Sequence, residues 1–331
     1  MVKNQVVNEH YAIYNGDAND VMDGMQDGSV DLEIYSPAFF GLYNYSSDPR
    51  DLSNFFDKET FFDHYSFFSR NLNRILKPGR CCLVHVCDIL LDNSGKGSVY
   101  DLPGAIIRHK EEHGFKYMGR HTIWKEPLWV RNRVMAKGLA HKTIVDDSIF
   151  GSIANADYLL VFRKEGENAV PVAHPTGFDY YAGAEELPKD ILKYKGFSGD
   201  QKQNRYSHWI WRRYASSVWD DIRGCQGQYE DKKHESVFPF QHSNDGSDQE
   251  EKHVHPFHKD VVDRGIIMRS NPGEIVFDPF GGIMTVPARA VALGRKGVGS
   301  ELKEAYFNQG VINCQNALEH PVYSKQMEMQ F

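Results

Sequence analysis

The segment Val276-Phe277-Asp278-Pro279-Phe280-Gly281-Gly282-Ile283-Met284-Thr285 constrains the fold more than any other. A short apolar strand runs straight into a glycine-containing turn, and a helical pattern follows from about Val286 to Leu293. In a parallel α/β sheet such a turn lies at the carboxyl edge, where ligands bind. Its glycines let a ligand approach the backbone closely, and the helix behind it offers unpaired N–H groups. About twenty residues on, Val298-Gly299-Ser300-Glu301 puts a carboxylate at the end of the next strand, where it can accept both hydroxyls of a ribose. A plain strand-turn-helix connection with a surface glutamate is the alternative.

The rest of the chain repeats the alternation. Residues 11–14 and 30–35 are short and β-prone. Apolar side chains at Phe61, Phe62, Tyr65, Phe68, Leu72, Ile75 and Leu76 make one stripe of a helix, which Lys77-Pro78-Gly79 stops. Residues 81–87 and 158–162 read as further strands. A helical stripe on Phe257, Val261, Val262, Ile266 and Ile267 precedes the strand at 274–277, and 304–318 reads as a final helix. This pattern predicts a mostly parallel sheet with helices on both faces. From Glu165 to about Lys252 the periodicity fades. The predicted organisation is one α/β domain in two halves, 1–164 and 253–331, split by an irregular insert at 165–252.

Composition narrows the class. Charged residues are 25% and hydrophobic residues 41% of the 331, ordinary for a soluble globular chain. No run approaches the ~18 apolar residues of a membrane span, and the first residues lack a secretory core. Five cysteines (Cys81, Cys82, Cys87, Cys225 and Cys314), without CxxC or HExxH spacing, read as buried reduced thiols rather than a metal site. A cytoplasmic location is therefore expected.

The formal charge of −7 does not advertise a polyanionic partner. The basic residues are nevertheless clustered. Lys125, Arg131, Arg133, Lys137, His141 and Lys142 surround Trp129, and Arg205, His208, Arg212 and Arg213 interleave with Trp209, Trp211 and Tyr214. Phosphate contacts need such patches, not a basic protein, whereas a solvated basic surface is the alternative.

A second turn, Ile34-Tyr35-Ser36-Pro37-Ala38-Phe39-Phe40, also follows a strand directly. The Ser36 hydroxyl and the Pro37 carbonyl can accept amine hydrogens, and Phe39 can stack on a planar ring, although a Ser-Pro pair by itself is usually only a turn. Ser36-Pro37-Ala38-Phe39, followed much later by Asp278-Pro279-Phe280, resembles the DNA amino-methyltransferases. Those enzymes carry an (Asp/Asn/Ser)-Pro-Pro-(Tyr/Phe/Trp) catalytic turn and an Asp-Pro-Phe-x-Gly-x-Gly-Thr turn for S-adenosylmethionine. Catalytic turn first and cofactor turn last matches the circularly permuted order of their β group. Asn15-Gly16-Asp17-Ala18 looks like the family's turn near the adenine, and Leu76-Lys77-Pro78-Gly79 like its Leu-Lys-Pro-Gly element. Ser217-Val218-Trp219 and His255-Pro256-Phe257-His258-Lys259 resemble the segments that line the methionine end of the cofactor.

The resemblance implies a Rossmann-like methyltransferase fold, circularly permuted, with a target-recognition region in the insert. It implies a catalytic set of Ser36, Pro37, Ala38 and Phe39. It further implies that Asp17, His255, Phe257, Lys259, Asp278, Pro279, Phe280, Gly282, Thr285 and Glu301 bind S-adenosylmethionine. The expected reaction is methyl transfer to an exocyclic amine of a base flipped out of double-stranded DNA, with Ser36 favouring cytosine N4 over adenine N6. Lys125, Arg131, Arg133, Lys137, Lys142, Arg212 and Arg213 are the expected DNA contacts, and the setting is a restriction-modification or phage enzyme. Monomer and homodimer both stay open.

Two departures from the family's pattern stand out. Ala38 replaces the second proline of the catalytic turn, which removes a constraint on Pro37. Met284 replaces the last glycine of the cofactor turn, at a cost of about 1 kcal/mol if that position needs a positive φ. A catalytically weakened or inactive DNA-binding pseudoenzyme is therefore the main rival. An RNA or protein amide methyltransferase would place the cofactor turn first, and a nicotinamide dehydrogenase would need a Gly-x-Gly-x-x-Gly after an N-terminal strand.

Overall fold

The computed structural model describes residues 2–39, 50–55, 57–91, 98–175, 177–189, 205–225, 236–239 and 257–322. Its strands are β1 (Asn4–Val7), β2 (Tyr11–Asn15), β3 (Val30–Tyr35), β4 (Leu76–Cys87), β5 (Ile89–Leu90), β6 (Val99–Tyr100), β7 (Phe115–Ile123), β8 (Asp157–Lys164), β9 (Val218–Trp219), β10 (Ile275–Asp278) and β11 (Lys296–Glu301). The helices are α1 (Ala18–Asp23), α2 (Lys58–Ile75), α3 (Leu102–Glu112), α4 (Pro127–Val134), α5 (His141–Asp146), α6 (Arg205–Tyr214), α7 (Lys259–Arg269), α8 (Thr285–Ala292) and α9 (Glu304–Glu319).

Local chemistry explains the boundaries. Asp57 caps α2 by accepting from the Thr60 N–H at 2.9 Å, and the buried Phe61, Tyr65, Phe68, Leu72 and Ile75 fall at three- and four-residue steps along one face. The helix ends at Ile75, and β4 begins at once with Leu76 opposite Val30, so the Lys-Pro-Gly element belongs to the strand rather than to a separate turn. A register shift between Val30 and Leu32 absorbs this start. Along β4, Cys82, Val84 and Val86 pack under α2 and α3, whereas Leu83 enters the opposite core with Val261, Val262 and Ile266 of α7. Both faces of the sheet are therefore covered. All five cysteines are free thiols.

Among the described residues, nine strands form one sheet in the order β1-β2-β11-β10-β3-β4-β8-β7-β9. The pairs from β2 to β4 are parallel, β8 runs against both β4 and β7, and β1 runs against β2. From β10 the chain crosses through α8 to β11 on one side, and from β3 it crosses through α2 to β4 on the other. The switch point, where a cleft opens at the carboxyl edge, lies between β10 and β3. N-terminal β2 pairs with C-terminal β11, Ile13 opposite Gly299, so the chain closes on itself as a circularly permuted Rossmann-like fold.

Part of the expected insert is built into this domain. Residues 205–225 supply α6 and β9, and β9 pairs with β7 at the sheet's edge. Arg264 of α7 ties them down by donating to both Asp221 carboxylate oxygens (2.9 and 2.7 Å) and to the Ala182 carbonyl. The sequence hides α6 because its buried face, Ser207, Trp209, Ile210 and Tyr214, mixes polar and aromatic residues. Among the described residues, no helix is long and apolar enough to cross a membrane.

Candidate active site

The two sequence-predicted turns leave adjacent strands at the switch point and meet in one cavity of about 480 Å³. Its wall includes Ser36, Pro37, Ala38 and Phe39 after β3, and Asp278, Pro279, Phe280, Gly282 and Thr285 after β10. Asp17, Glu301 and Phe257 join them. Phe280 links the turns, its ring centroid 5.7 Å from that of Tyr35 and 5.0 Å from that of Phe68.

Backbone pairing fixes the cofactor end. Gly281 N–H donates to the Ser300 carbonyl at 2.8 Å, and the Asn313 amide of α9 donates to the Ile283 carbonyl at 2.8 Å. The Gly16 N–H and the Asn15 amide both donate to the Glu301 carbonyl, so the turn holding Asp17 sits beside the end of β11. Glu301 itself accepts from the Gly282 N–H (2.8 Å) and the Lys303 N–H (2.7 Å). Burial pushes the Asp278 carboxyl up to about 8, with Glu301 adding to the shift, and burial pushes Glu301 up to about 7 against those N–H groups. Both carboxyls are buried in the cavity wall and held this high although each accepts from backbone N–H groups, and the hydroxyl and ammonium groups of S-adenosylmethionine would add donors that favour their ionised forms. The residues fit that molecule.

Met284 occupies the left-handed region at φ 58°, ψ 41°, the conformation that favours glycine. Its side chain is fully buried with Ile13, Ala288, Phe307 and Cys314, and does not line the cavity.

The catalytic end holds residues that the sequence reading passed over. Ser36 Oγ lies 3.2 Å from both the carbonyl oxygen and Nδ1 of His85, a cavity residue near the C-terminal end of β4. His85 Nε2 is 3.2 Å from Asp157 Oδ2 at the start of β8, and Asp157 Oδ1 accepts from Lys125 Nζ. Burial pushes the Asp157 carboxyl up, but Lys125 and His85 overcome it and hold it well below the usual carboxylate range. His258 also lines the cavity, and burial lowers it to about 4. The signal was a histidine inside an apolar strand, Val84-His85-Val86, which periodicity alone treats as noise.

The remaining expected residues separate. Lys125, expected on a phosphate-binding surface, is only 11% exposed and forms part of the cavity wall. Lys259 lies outside the wall, with its Nζ 4.1 Å from the centre of the Phe238 ring. His255 is outside the described residues. Lys137 and Lys142 are exposed beside the cavity segment that Trp129, Val130 and Leu139 supply, and Lys142 pairs with Asp146. Arg131 is half-buried on α4, which also carries Arg133. Arg212 and Arg213 end α6, where Arg213 pairs with Glu185 at 2.5 Å.

Comparison with known proteins gives concordant matches. The DNA methylase family N6_N4_Mtase matches residues 30–312. A 64-residue stretch is 41% identical to the DNA adenine methyltransferase YhdJ of Escherichia coli K12, covering 19% of this chain and 22% of that one. The type II methyltransferase M.MjaI of Methanocaldococcus jannaschii is 23% identical over 92% of this chain and 91% of its own. Among solved structures, TTHA0409 of Thermus thermophilus, complexed with S-adenosyl-L-methionine, superposes with a TM-score of 0.57 at 21% identity, covering 93% of this chain and 96% of that one. PvuII DNA methyltransferase, cytosine-N4-specific, superposes with a TM-score of 0.57 at 17% identity, covering 95% and 90%. At these identities the superpositions speak for the fold. With both signature turns in one cavity at the switch point and the family match spanning most of the sequence, this chain belongs to the DNA methylase family and acts on DNA with S-adenosylmethionine as methyl donor.

Proposed function

We propose that the chain methylates the exocyclic amine of a base flipped out of duplex DNA, cytosine N4 in preference to adenine N6. The observation that carries this reading is Ser36 at the end of β3, in the same cavity as the Asp278 turn and Glu301. An exocyclic amine is a poor nucleophile because its lone pair is delocalised into the ring. Ser36 Oγ and the Pro37 carbonyl accept the two amine hydrogens, favour a pyramidal nitrogen and free that pair. S-adenosylmethionine, when bound, supplies a sulfonium methyl. Positioning and preorganised acceptors then carry most of the catalysis. Phe39 stacks on the flipped base and offsets part of an unstacking cost of a few kcal/mol.

Glu301 takes the ribose hydroxyls, Asp17 lies toward the adenine, and Phe257 toward the methionine end. Lys137, Lys142, Arg131, Arg133, Arg212 and Arg213 contact phosphates, and parts of 165–252 read the target sequence. Serine in the first position of the catalytic turn, where adenine enzymes more often carry Asp, supports cytosine. A host expressing the chain serves as the test, its DNA digested to nucleosides and weighed. N4-methylcytosine is expected; N6-methyladenine would reassign the base, and neither methylated base would overturn the activity.

The pseudoenzyme reading rested on Met284 and Ala38. The Met284 side chain turns into the core and leaves the cavity open, which removes the first ground. Ala38 keeps the second. An Ala38→Pro variant that methylates faster than the parent would identify a slowed enzyme.

A further inference from the structure

We propose that His85 is the positioning residue that makes Ser36 an acceptor, and that it takes the proton released by the methylated amine through Ser36. The geometry fixes the direction of each hydrogen. Asp157 is held ionised beside Lys125, so it can only accept, and His85 Nε2, 3.2 Å away, must carry the hydrogen between them. A neutral His85 then has a bare Nδ1, 3.2 Å from Ser36 Oγ. Among the described residues, the second acceptor within reach of that hydroxyl is the His85 carbonyl, also at 3.2 Å. Either way the Ser36 hydrogen points at His85, and the oxygen lone pairs face the cavity. A serine without this partner could equally donate to a ring nitrogen of the base and spoil the amine's geometry. The Phe257 ring, centroid 4.7 Å from that of His85 and tilted 37° to it, packs against the imidazole.

Our inference rests on the amine-methylation reading and adds a route for the proton. The amine nitrogen gains CH₃ and must lose one H⁺. That proton passes to Ser36 Oγ as the serine's own proton passes to His85 Nδ1. Serine is unchanged, and the positive charge that began on the sulfonium ends on the imidazole, which later returns the proton to water. The charged and titratable groups facing His85 are Asp157 from β8, Lys125 after β7 and His258 before α7. Burial keeps His258 neutral in the working range, so it does not oppose the imidazolium.

The test compares wild type, His85→Asn and Asp157→Asn in single-turnover methylation of duplex DNA from about pH 5 to about pH 9, with S-adenosylmethionine saturating at every pH so that the titration of Glu301 does not limit binding. The wild-type rate falls on the acid side with one protonation. His85→Asn keeps an acceptor near the Nδ1 position but cannot take a proton. It therefore loses about 10²-fold in rate, loses the acid limb, and binds S-adenosylmethionine with unchanged affinity. A variant that is slowed but keeps the wild-type acid limb, or one that is not slowed, overturns the proposal. The ¹⁵N spectrum of wild-type His85 gives a readout that needs neither variant nor turnover. The Nε2–H tautomer with bare Nδ1 is expected, and the Nδ1–H tautomer overturns the proposal. Wild type that shows this tautomer yet methylates no DNA would sink the activity and leave the hydrogen-bond assignment standing.

Discussion

A Cβ placed on Gly310 would lie 2.3 Å from Cγ and 2.9 Å from Cβ of Met284. Gly310 of α9 is thus the slot into which the left-handed Met284 turns its side chain. Gly281 and Gly299 line the same slot, because a Cβ on either would lie within 3 Å of the Met284 sulfur. Where the family keeps a bare glycine, this chain keeps the strained backbone and buries a methionine behind the turn.

Filling the slot should push the cofactor turn toward the cavity. Gly310→Ala is expected to cost about 1–3 kcal/mol of stability by overpacking and to weaken S-adenosylmethionine binding. Met284→Gly relieves about 1–2 kcal/mol of left-handed strain, but deleting a buried methionine side chain costs about 2–5 kcal/mol, so it should be less stable overall. Denaturant midpoints and calorimetric cofactor titration check both. A Gly310→Ala protein with wild-type cofactor affinity would show that the slot does not communicate with the turn.

Glu301 and Asp278, raised to about 7 and about 8, give a signed pH dependence. Between the ordinary carboxylate range and those values the folded protein holds protons that the unfolded chain has released. Stability of the ligand-free protein should therefore fall as pH rises through that window and level off above about 8. A ligand whose hydroxyls donate to Glu301 favours its ionised form. Cofactor binding at about pH 6 should release protons, and affinity should tighten as pH rises toward about 7. Calorimetry in two buffers of different ionisation heat measures the release, and equal heats in both buffers would refute it.

Arg264, fully buried, is held by Asp221 and packs near the Tyr214 and Trp219 rings. Asp221→Ala leaves that guanidinium uncompensated and should cost about 3–5 kcal/mol. The loss should appear first as faster proteolysis within 177–189 and 205–225, the segments the pair anchors. Replacing both partners with apolar residues of similar volume should recover much of it.

Exposure divides the basic residues into two kinds. Arg212→Ala with Arg213→Ala should weaken DNA binding and flatten the log–log salt slope by up to about 2. Lys125→Ala should leave that slope unchanged and lower the methylation rate, because Lys125 faces Asp157 in the cavity wall. A salt titration of each variant separates them. Unchanged binding of the double variant would take α6 out of the interface.

Much of the fold was legible in local chemistry. The α2 stripe, the β10 turn and the following helix are short-range patterns, set by side-chain spacing and by turn residues that act over a few positions. The order of the Ser36 and Asp278 turns also carried the permuted topology, because each turn marks the end of a particular strand. The helix α6 was not read from the sequence, since its buried face, Ser207, Trp209, Ile210 and Tyr214, mixes polar and aromatic residues, and β9 exists only through its pairing with β7.

The sequence by itself determined the two turns, the alternation of strands and helices between them, and the departures at Ala38 and Met284. Tertiary structure alone decided which way Met284 points and that Lys125 is a cavity residue. It also decided that His85 of β4 touches both Ser36, in the turn after β3, and Asp157 at the start of β8. The physical reason is distance along the chain. A strand end and its turn are neighbours in sequence, whereas the His85–Asp157 contact spans 72 positions and exists only because β8 runs antiparallel beside β4.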